Sequence, residues 1–217
     1  MKNFICNLLL VSLLNQTRFV TFDVHFMALN KFHELSLPNS TQPSLAWVTW
    51  PRSTQPSLLV LHAFSDADWV GDPINHKSIT GYCFLIGSSL ISWRSKKQTH
   101  MACSNTEAKY RALADTTFEL LWLRWFLKDL DVSTSSTTPL YCDNQSAIHI
   151  THNDVFHKRT KHIEIDCHFI RYHLVHGAFK LFLASSKDQL ANIFTKSHPK
   201  GRLRDLVDNL KLISHSP

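Results

Sequence analysis

From residue 58 onward the apolar positions fall into runs whose spacing changes along the chain. Leu58–Ser65 opens as a β-type apolar run and predicts a first strand. Ile79–Ile86 is apolar nearly throughout and predicts a second. Gly87-Ser88-Ser89 is a tight turn signal, and a third strand follows from Leu90 to about Lys96, so the three form an antiparallel meander with short links. The spacing then changes to three and four: Tyr110, Leu113, Ala114, Phe118, Leu121, Trp125 and Phe126 predict a long helix starting near Thr106, with Ser104 or Asn105 as its cap. Leu140–Cys142 predicts strand four, and Asn144 caps a short helix to about Ile150. Ile163–His176 predicts a helix broken by Gly177, and Phe179–Ala184 a fifth strand. A last helix, Lys187–Lys196, is capped by Ser185 or Ser186.

The first 57 residues lack such order. Ser40-Thr41-Gln42-Pro43-Ser44-Leu45 recurs thirteen residues later as Ser53-Thr54-Gln55-Pro56-Ser57-Leu58, a period too short for a solenoid. With prolines at 38, 43, 51 and 56 the segment reads as an irregular, poorly ordered N-terminal extension. Phe4–Leu14 mimics a signal sequence, but Asn7 and Ser12 interrupt it, no small-x-small cleavage site follows, and it is too short to span a bilayer. It is read as non-targeting, with an intracellular location, a cytoplasmic particle or the nucleus, and no membrane partner. The expected organisation is an extension over 1–57, one domain over 58–197 and a C-terminal tail over 198–217.

Composition narrows the function classes. The net charge of +6 favours an anionic partner. The excess is uneven, with eight Lys/Arg against nine Asp/Glu over 58–150 but eleven against six over 151–217. Five widely spaced cysteines without a C-x-x-C pair indicate neither a disulfide framework nor a zinc knuckle. His152, His157 and His162 are five apart, as are His168 and His173, a spacing that does not bring side chains onto one helical face for zinc.

The chemistry concentrates at His62-Ala63-Phe64-Ser65-Asp66-Ala67-Asp68-Trp69-Val70-Gly71-Asp72, where a strand ends in three carboxylates. Like charges so placed repel unless a cation lies between them, so the stretch is either a metal site or a solvated turn. Asn105-Thr106-Glu107-Ala108-Lys109-Tyr110-Arg111 adds a glutamate in the first turn of the long helix, at the edge of its core-facing stripe. Leu140-Tyr141-Cys142-Asp143-Asn144-Gln145 adds an aspartate at another strand end.

Taken with Ser78-Ile79-Thr80-Gly81-Tyr82, Ile91-Ser92-Trp93 and Arg159-Thr160-Lys161-His162-Ile163-Glu164, these blocks resemble the ribonuclease H domain that closes the Pol polyprotein of copia-type retrotransposons. The resemblance spans roughly 58–197, as several blocks in order. It implies an α/β fold, a mixed five-stranded sheet flanked by helices, with strands one and four parallel and adjacent. It also implies a metal-dependent endonuclease that hydrolyses the RNA strand of RNA–DNA hybrids, using two Mg²⁺ ions roughly 4 Å apart, with Mn²⁺ as a substitute. In that scheme Asp66 bridges the two ions while Glu107 and Asp143 complete the set. A reverse transcriptase of the same polyprotein is implied as a partner, and its motifs are not found in this chain.

Two departures follow. The family block Ala-Asp-Ile-Phe-Thr-Lys stands here as Ala191-Asn192-Ile193-Phe194-Thr195-Lys196, so the fourth catalytic position is either Asn192 or Asp188 at i−4 on the same predicted helix. Lys109 occupies the place of a second acidic residue after Glu107. Two positions on, it is expected to point elsewhere and to matter little. Backbone phosphate contacts are expected from Arg94, Lys96 and Lys97 and from Lys158, Arg159 and Lys161. The rival reading is a catalytically impaired or inactive nucleic-acid-binding remnant of the same fold.

Overall fold

The structure is a computed structural model that describes residues 60–87, 89–129, 132, 137–153 and 163–210. The chain divides into two compact units, 1–58 and 59–217. The expectations for the N-terminal extension, including its signal-like run, lie outside the described residues.

The second unit is built on a sheet in the order β3-β2-β1-β4-β5. β1 (Leu61–Asp68), β2 (Ile79–Ile86) and β3 (Ser89–Lys97) form the predicted antiparallel meander. The long helix α1 (Asn105–Asp129) follows, then β4 (Thr138–Cys142) and α2 (Gln145–His152). After α3 (Glu164–Val175) the chain enters β5 (Phe179–Leu183). β4 pairs in parallel with β1, and β5 in parallel with β4. The predicted mixed five-stranded arrangement is the one observed. Gly177, at φ +72°, ends α3 in a conformation that a side chain disfavours.

Four expectations are corrected. β1 reaches three residues further than the predicted end at Ser65, because its ladder with β2 runs from Leu61 opposite Ile86 to Asp68 opposite Ile79. Asp66 and Asp68 therefore both lie within the strand, on one face. The predicted helix Lys187–Lys196 is a turn followed by a five-residue 3₁₀ helix, Leu190–Phe194. That helix starts at Gln189, whose amide is anchored elsewhere: Nε2 donates to the Ser65 carbonyl (3.0 Å) and the Tyr141 carbonyl (3.3 Å), stitching β1 to β4. The residues read as a tail contain α4 (Lys200–Asn209), with Leu206 and Leu210 fully buried.

The fourth correction rotates α1. Phe118 and Trp125, assigned to the core stripe, are exposed, and Phe118 stacks instead on Phe169 of α3 at 3.9 Å. The buried face carries Ala112, Leu113, Thr116, Leu120, Leu123 and Leu127. Small side chains let the helix approach β1 closely. Thr116 Oγ1 donates to the Ala112 carbonyl at 2.7 Å and lies 2.8 Å from Ser65 Oγ, whose hydroxyl can donate to it. Nearer the helix start, Ala67 of β1 packs with Ala102, Ala108 and Ala112. This alanine contact sets the first turns of α1 against the acidic end of β1.

Candidate functional site

β1 and β4 run side by side in parallel, so Asp66 and Asp143 come to the same end of the sheet. Position 109 is four residues before Leu113 and seven before Thr116, so it lies on the same helix face as they do. Lys109 Nζ donates to Asp66 Oδ1 at 2.8 Å and to Asp143 Oδ1 in a very short contact. The three side chains are nearly closed to solvent, with relative exposures of 10% for Lys109, 0% for Asp66 and 6% for Asp143. Burial pulls the lysine pKa down, but the two carboxylates outweigh it and hold the ammonium above its ordinary value. The expectation that Lys109 points elsewhere is thus corrected: once the alanines and threonines define the buried face, this residue aims at the acids.

Glu107 is drawn into a different task. Its backbone N–H donates to Ser104 Oγ (3.1 Å), and its Oε2 accepts from the Cys103 N–H (2.8 Å), a reciprocal cap on α1. Its Oε1 accepts from Arg111 at 2.8 Å, one helical turn on. Residues two apart on a helix diverge by roughly 200°, so Glu107 and Lys109 cannot both face the same target. Among the described residues, no three His, Cys, Asp or Glu side chains are grouped to hold a metal ion. Of the three expected acids, Asp66 and Asp143 meet at Lys109, while Glu107 is turned to the cap and to Arg111. As the site stands, its donor set does not fit Mg²⁺ or Mn²⁺, because an ammonium already fills the space between the two aspartates.

The other oxygen of Asp66 is held as well. Thr195 Oγ1, just past the 3₁₀ helix, donates to Asp66 Oδ2 at 2.6 Å. Thr195 went unnoticed in the sequence although it sits in the quoted Ala191–Lys196 block. Its signal is Gly81, which pairs with Asp66 across the sheet. A Cβ on Gly81 would lie 2.5 Å from Thr195 Cγ2 and 3.0 Å from Phe194 Cβ. The glycine leaves room for the 3₁₀ helix to lie on the sheet and for Thr195 to reach the acid.

The two candidates for the fourth position lie in different surroundings. Asp188 is exposed, and its carboxylate accepts from Ser185 Oγ at 2.6 Å in a local turn. Asn192 is buried; its Nδ2 donates to the Ser186 carbonyl at 3.0 Å, and its Oδ1 has no hydrogen-bond partner. With no α-helix over 187–196, the two are not stacked on one face as expected. Asp68 lies close enough to Asp66 for their charges to couple, and burial raises its pKa. Asp72 serves the turn: it binds Lys97 at 2.7 Å, Asn75 at 2.9 Å and the Ile74 N–H at 3.2 Å.

Of the phosphate-contact candidates, Arg94, Lys96 and Lys97 are exposed on the edge strand β3. Lys97 is engaged by Asp72. Tyr82 and the charges of Asp115 and Glu119 act on Arg94 and raise its pKa. Lys158, Arg159 and Lys161 lie outside the described residues. No helix among the described residues is long and apolar enough to cross a membrane.

Several known proteins are similar to this chain. The chain is 46% identical over 138 residues to the retrovirus-related Pol polyprotein from transposon RE2 of Arabidopsis thaliana, covering 64% of this chain and 10% of that protein. The corresponding polyprotein from transposon TNT 1-94 of Nicotiana tabacum is 39% identical over 143 residues, 66% of this chain and 11% of that protein. Over these stretches the chain is similar to transposon Pol polyproteins. It spans about a tenth of the length of these relatives. No family model matches. Among solved structures, the N-terminal RNase H domain of rv2228c from Mycobacterium tuberculosis is similar with a TM-score of 0.46 and 8% identity, over 69% of this chain and 97% of that one. LC11-RNase H1, solved in complex with an RNA/DNA hybrid, has a TM-score of 0.46 and 13% identity, over 62% and 93%.

Proposed function

We propose that this chain carries an RNase H-type domain of a Pol polyprotein lineage that holds an RNA–DNA hybrid without cutting it. The observation that carries this reading is the Lys109 ammonium bound to both Asp66 and Asp143. Hydrolysis of a phosphodiester in the implied scheme needs divalent ions at those carboxylates, and an ammonium can neither activate water nor neutralise a leaving oxygen as such an ion does. Hybrid affinity would come from the basic excess of the C-terminal third, through backbone phosphates, with the 2′-hydroxyls and groove shape setting the preference for a hybrid.

The test is a fluorescently labelled hybrid offered to the full chain, with binding read by anisotropy across a salt series and cleavage read on a gel. Binding that weakens steadily with salt, with the RNA strand intact in Mg²⁺ and in Mn²⁺, is the expected result. Multiple turnover on the hybrid in either ion would sink this reading. It would favour the second one, a metal-dependent ribonuclease H, whose support is the placement of Asp66 and Asp143 on adjacent parallel strands. In that second reading Asn192→Asp raises turnover by adding a carboxylate at the fourth position. The structure adds a cost, since a carboxylate cannot donate to the Ser186 carbonyl as the Asn192 amide does.

A further inference from the structure

The geometry points to Lys109 as a resident counter-ion: its ammonium does for Asp66 and Asp143 what a divalent cation does in the implied metal centre, so that this end of the sheet is complete without metal. The inference rests on the reading that the centre takes no divalent ion, and it goes further in assigning the lysine a positive task in the fold.

The charge arrangement requires such a task. Two carboxylates brought to adjacent strand ends, with side chains at most 6% exposed, repel each other and lose their hydration. Parallel pairing of β1 with β4 places them there whatever else happens. Lys109 supplies one positive charge and uses two of its three N–H donors on them. Thr195 satisfies the remaining oxygen of Asp66. The helix that carries the lysine is held close by the alanine contact of Ala67 with Ala102, Ala108 and Ala112. It is held also by Gln98, whose Nε2 donates to the Ala108 carbonyl at 2.8 Å and to Thr80 Oγ1 at 3.0 Å. Glu107, the one acid on that turn, is occupied by the cap and by Arg111. A divalent ion entering here would have to expel the ammonium, because the two cations would repel one another at hydrogen-bonding separation.

The experiment uses the full chain and reads folding and ion uptake rather than cleavage. Thermal unfolding is followed in EDTA and in millimolar Mn²⁺, and bound Mn²⁺ is counted from the electron paramagnetic resonance signal of the free ion. The unaltered chain is expected to melt at the same temperature in both solutions and to take up no stoichiometric Mn²⁺. Lys109→Glu should melt roughly 10 °C lower in EDTA, since it leaves buried charge uncompensated. Mn²⁺ should restore several degrees, saturably, with about one ion bound per chain. Lys109→Met, which adds no negative charge, should behave the same way to a smaller extent, and it decides the matter if Lys109→Glu does not fold.

A saturable rise in the melting temperature of the unaltered chain with Mn²⁺ would overturn the inference. So would variants as stable as the parent in EDTA, or variants destabilised but indifferent to Mn²⁺. Hybrid anisotropy in EDTA separates this from the functional reading. No hybrid binding alongside metal-independent melting sinks only the function, whereas hybrid binding alongside Mn²⁺ uptake by the parent sinks only the counter-ion.

Discussion

The same sheet contains two aspartate–lysine pairs that look alike in the sequence and differ in consequence. Lys97 reaches Asp72 at 2.7 Å from a side chain that is 48% exposed, and the pair closes a surface turn. Lys109 reaches Asp66 at 2.8 Å from a side chain that is 10% exposed, between two strands that cannot move apart. Water can replace Lys97, and Asp72, itself only 8% exposed, keeps its bonds from Asn75 and the Ile74 N–H when the lysine is lost. In the second, each partner removed leaves a charge stranded in a dry site. What separates a turn staple from a structural keystone is thus the solvent access of the lysine, not contact distance.

That contrast can be broken most forcefully at Asp66. Asp66→Ala removes a buried partner of Lys109 and is expected to cost about 3–5 kcal/mol of stability by urea unfolding. A loss no larger than that of Asp72→Ala would erase the distinction between the two pairs. Next in size, Thr195→Val deletes the hydroxyl that donates to Asp66 while keeping its shape, for a loss of roughly 1.5–3 kcal/mol as expected of a hydrogen bond to a charged group. Gly81→Ala should act at the same point through the clash with Thr195 Cγ2, at about 1–3 kcal/mol. Pairing it with Thr195→Val in a double-mutant cycle should show that the two losses are not additive.

The smallest effect belongs to the exposed pair. Lys97→Ala should leave the urea midpoint near that of the parent at neutral pH. Its signature is in acid: the hydrogen bond from Lys97, aided by Asn75, holds the Asp72 carboxyl down at about 2, against an ordinary 3.8. A depressed carboxyl contributes its stability above the ordinary value and loses it as pH falls toward the folded one. The parent's small advantage over Lys97→Ala should therefore be constant from neutral pH to about 4 and shrink between there and 2. An advantage that grows with acidity would show that Asp72 is not the partner that matters.

Much of this was legible beforehand. β2 was read from its apolar run with the bounds it has, and Asn144 was read as the cap it is, accepting the Ala147 N–H at 2.8 Å. These are local signals: a β-type run and a side chain that satisfies its own neighbour. The placement of Asp143 directly after a strand was legible for the same reason, whereas Asp66, read as a strand end, lies inside β1. The helix face was not, because large apolar residues attracted the stripe to Phe118 and Trp125, whereas close packing on β1 selected Ala112 and Thr116.

The sequence by itself determined the order of the elements from β1 to β5, the aspartate that follows β4 and the polyproteins that the blocks resemble. Each depends on residues near one another in the chain or on their order. Only the tertiary structure decided that residue 109 rather than residue 107 meets the aspartates, that Thr195 grips Asp66 over Gly81, and that Asn192 turns to Ser186. Those outcomes depend on how closely a helix can settle on a sheet, a distance set by side chains tens of residues apart. A difference of two positions along one helix is enough to exchange a carboxylate for an ammonium at the centre.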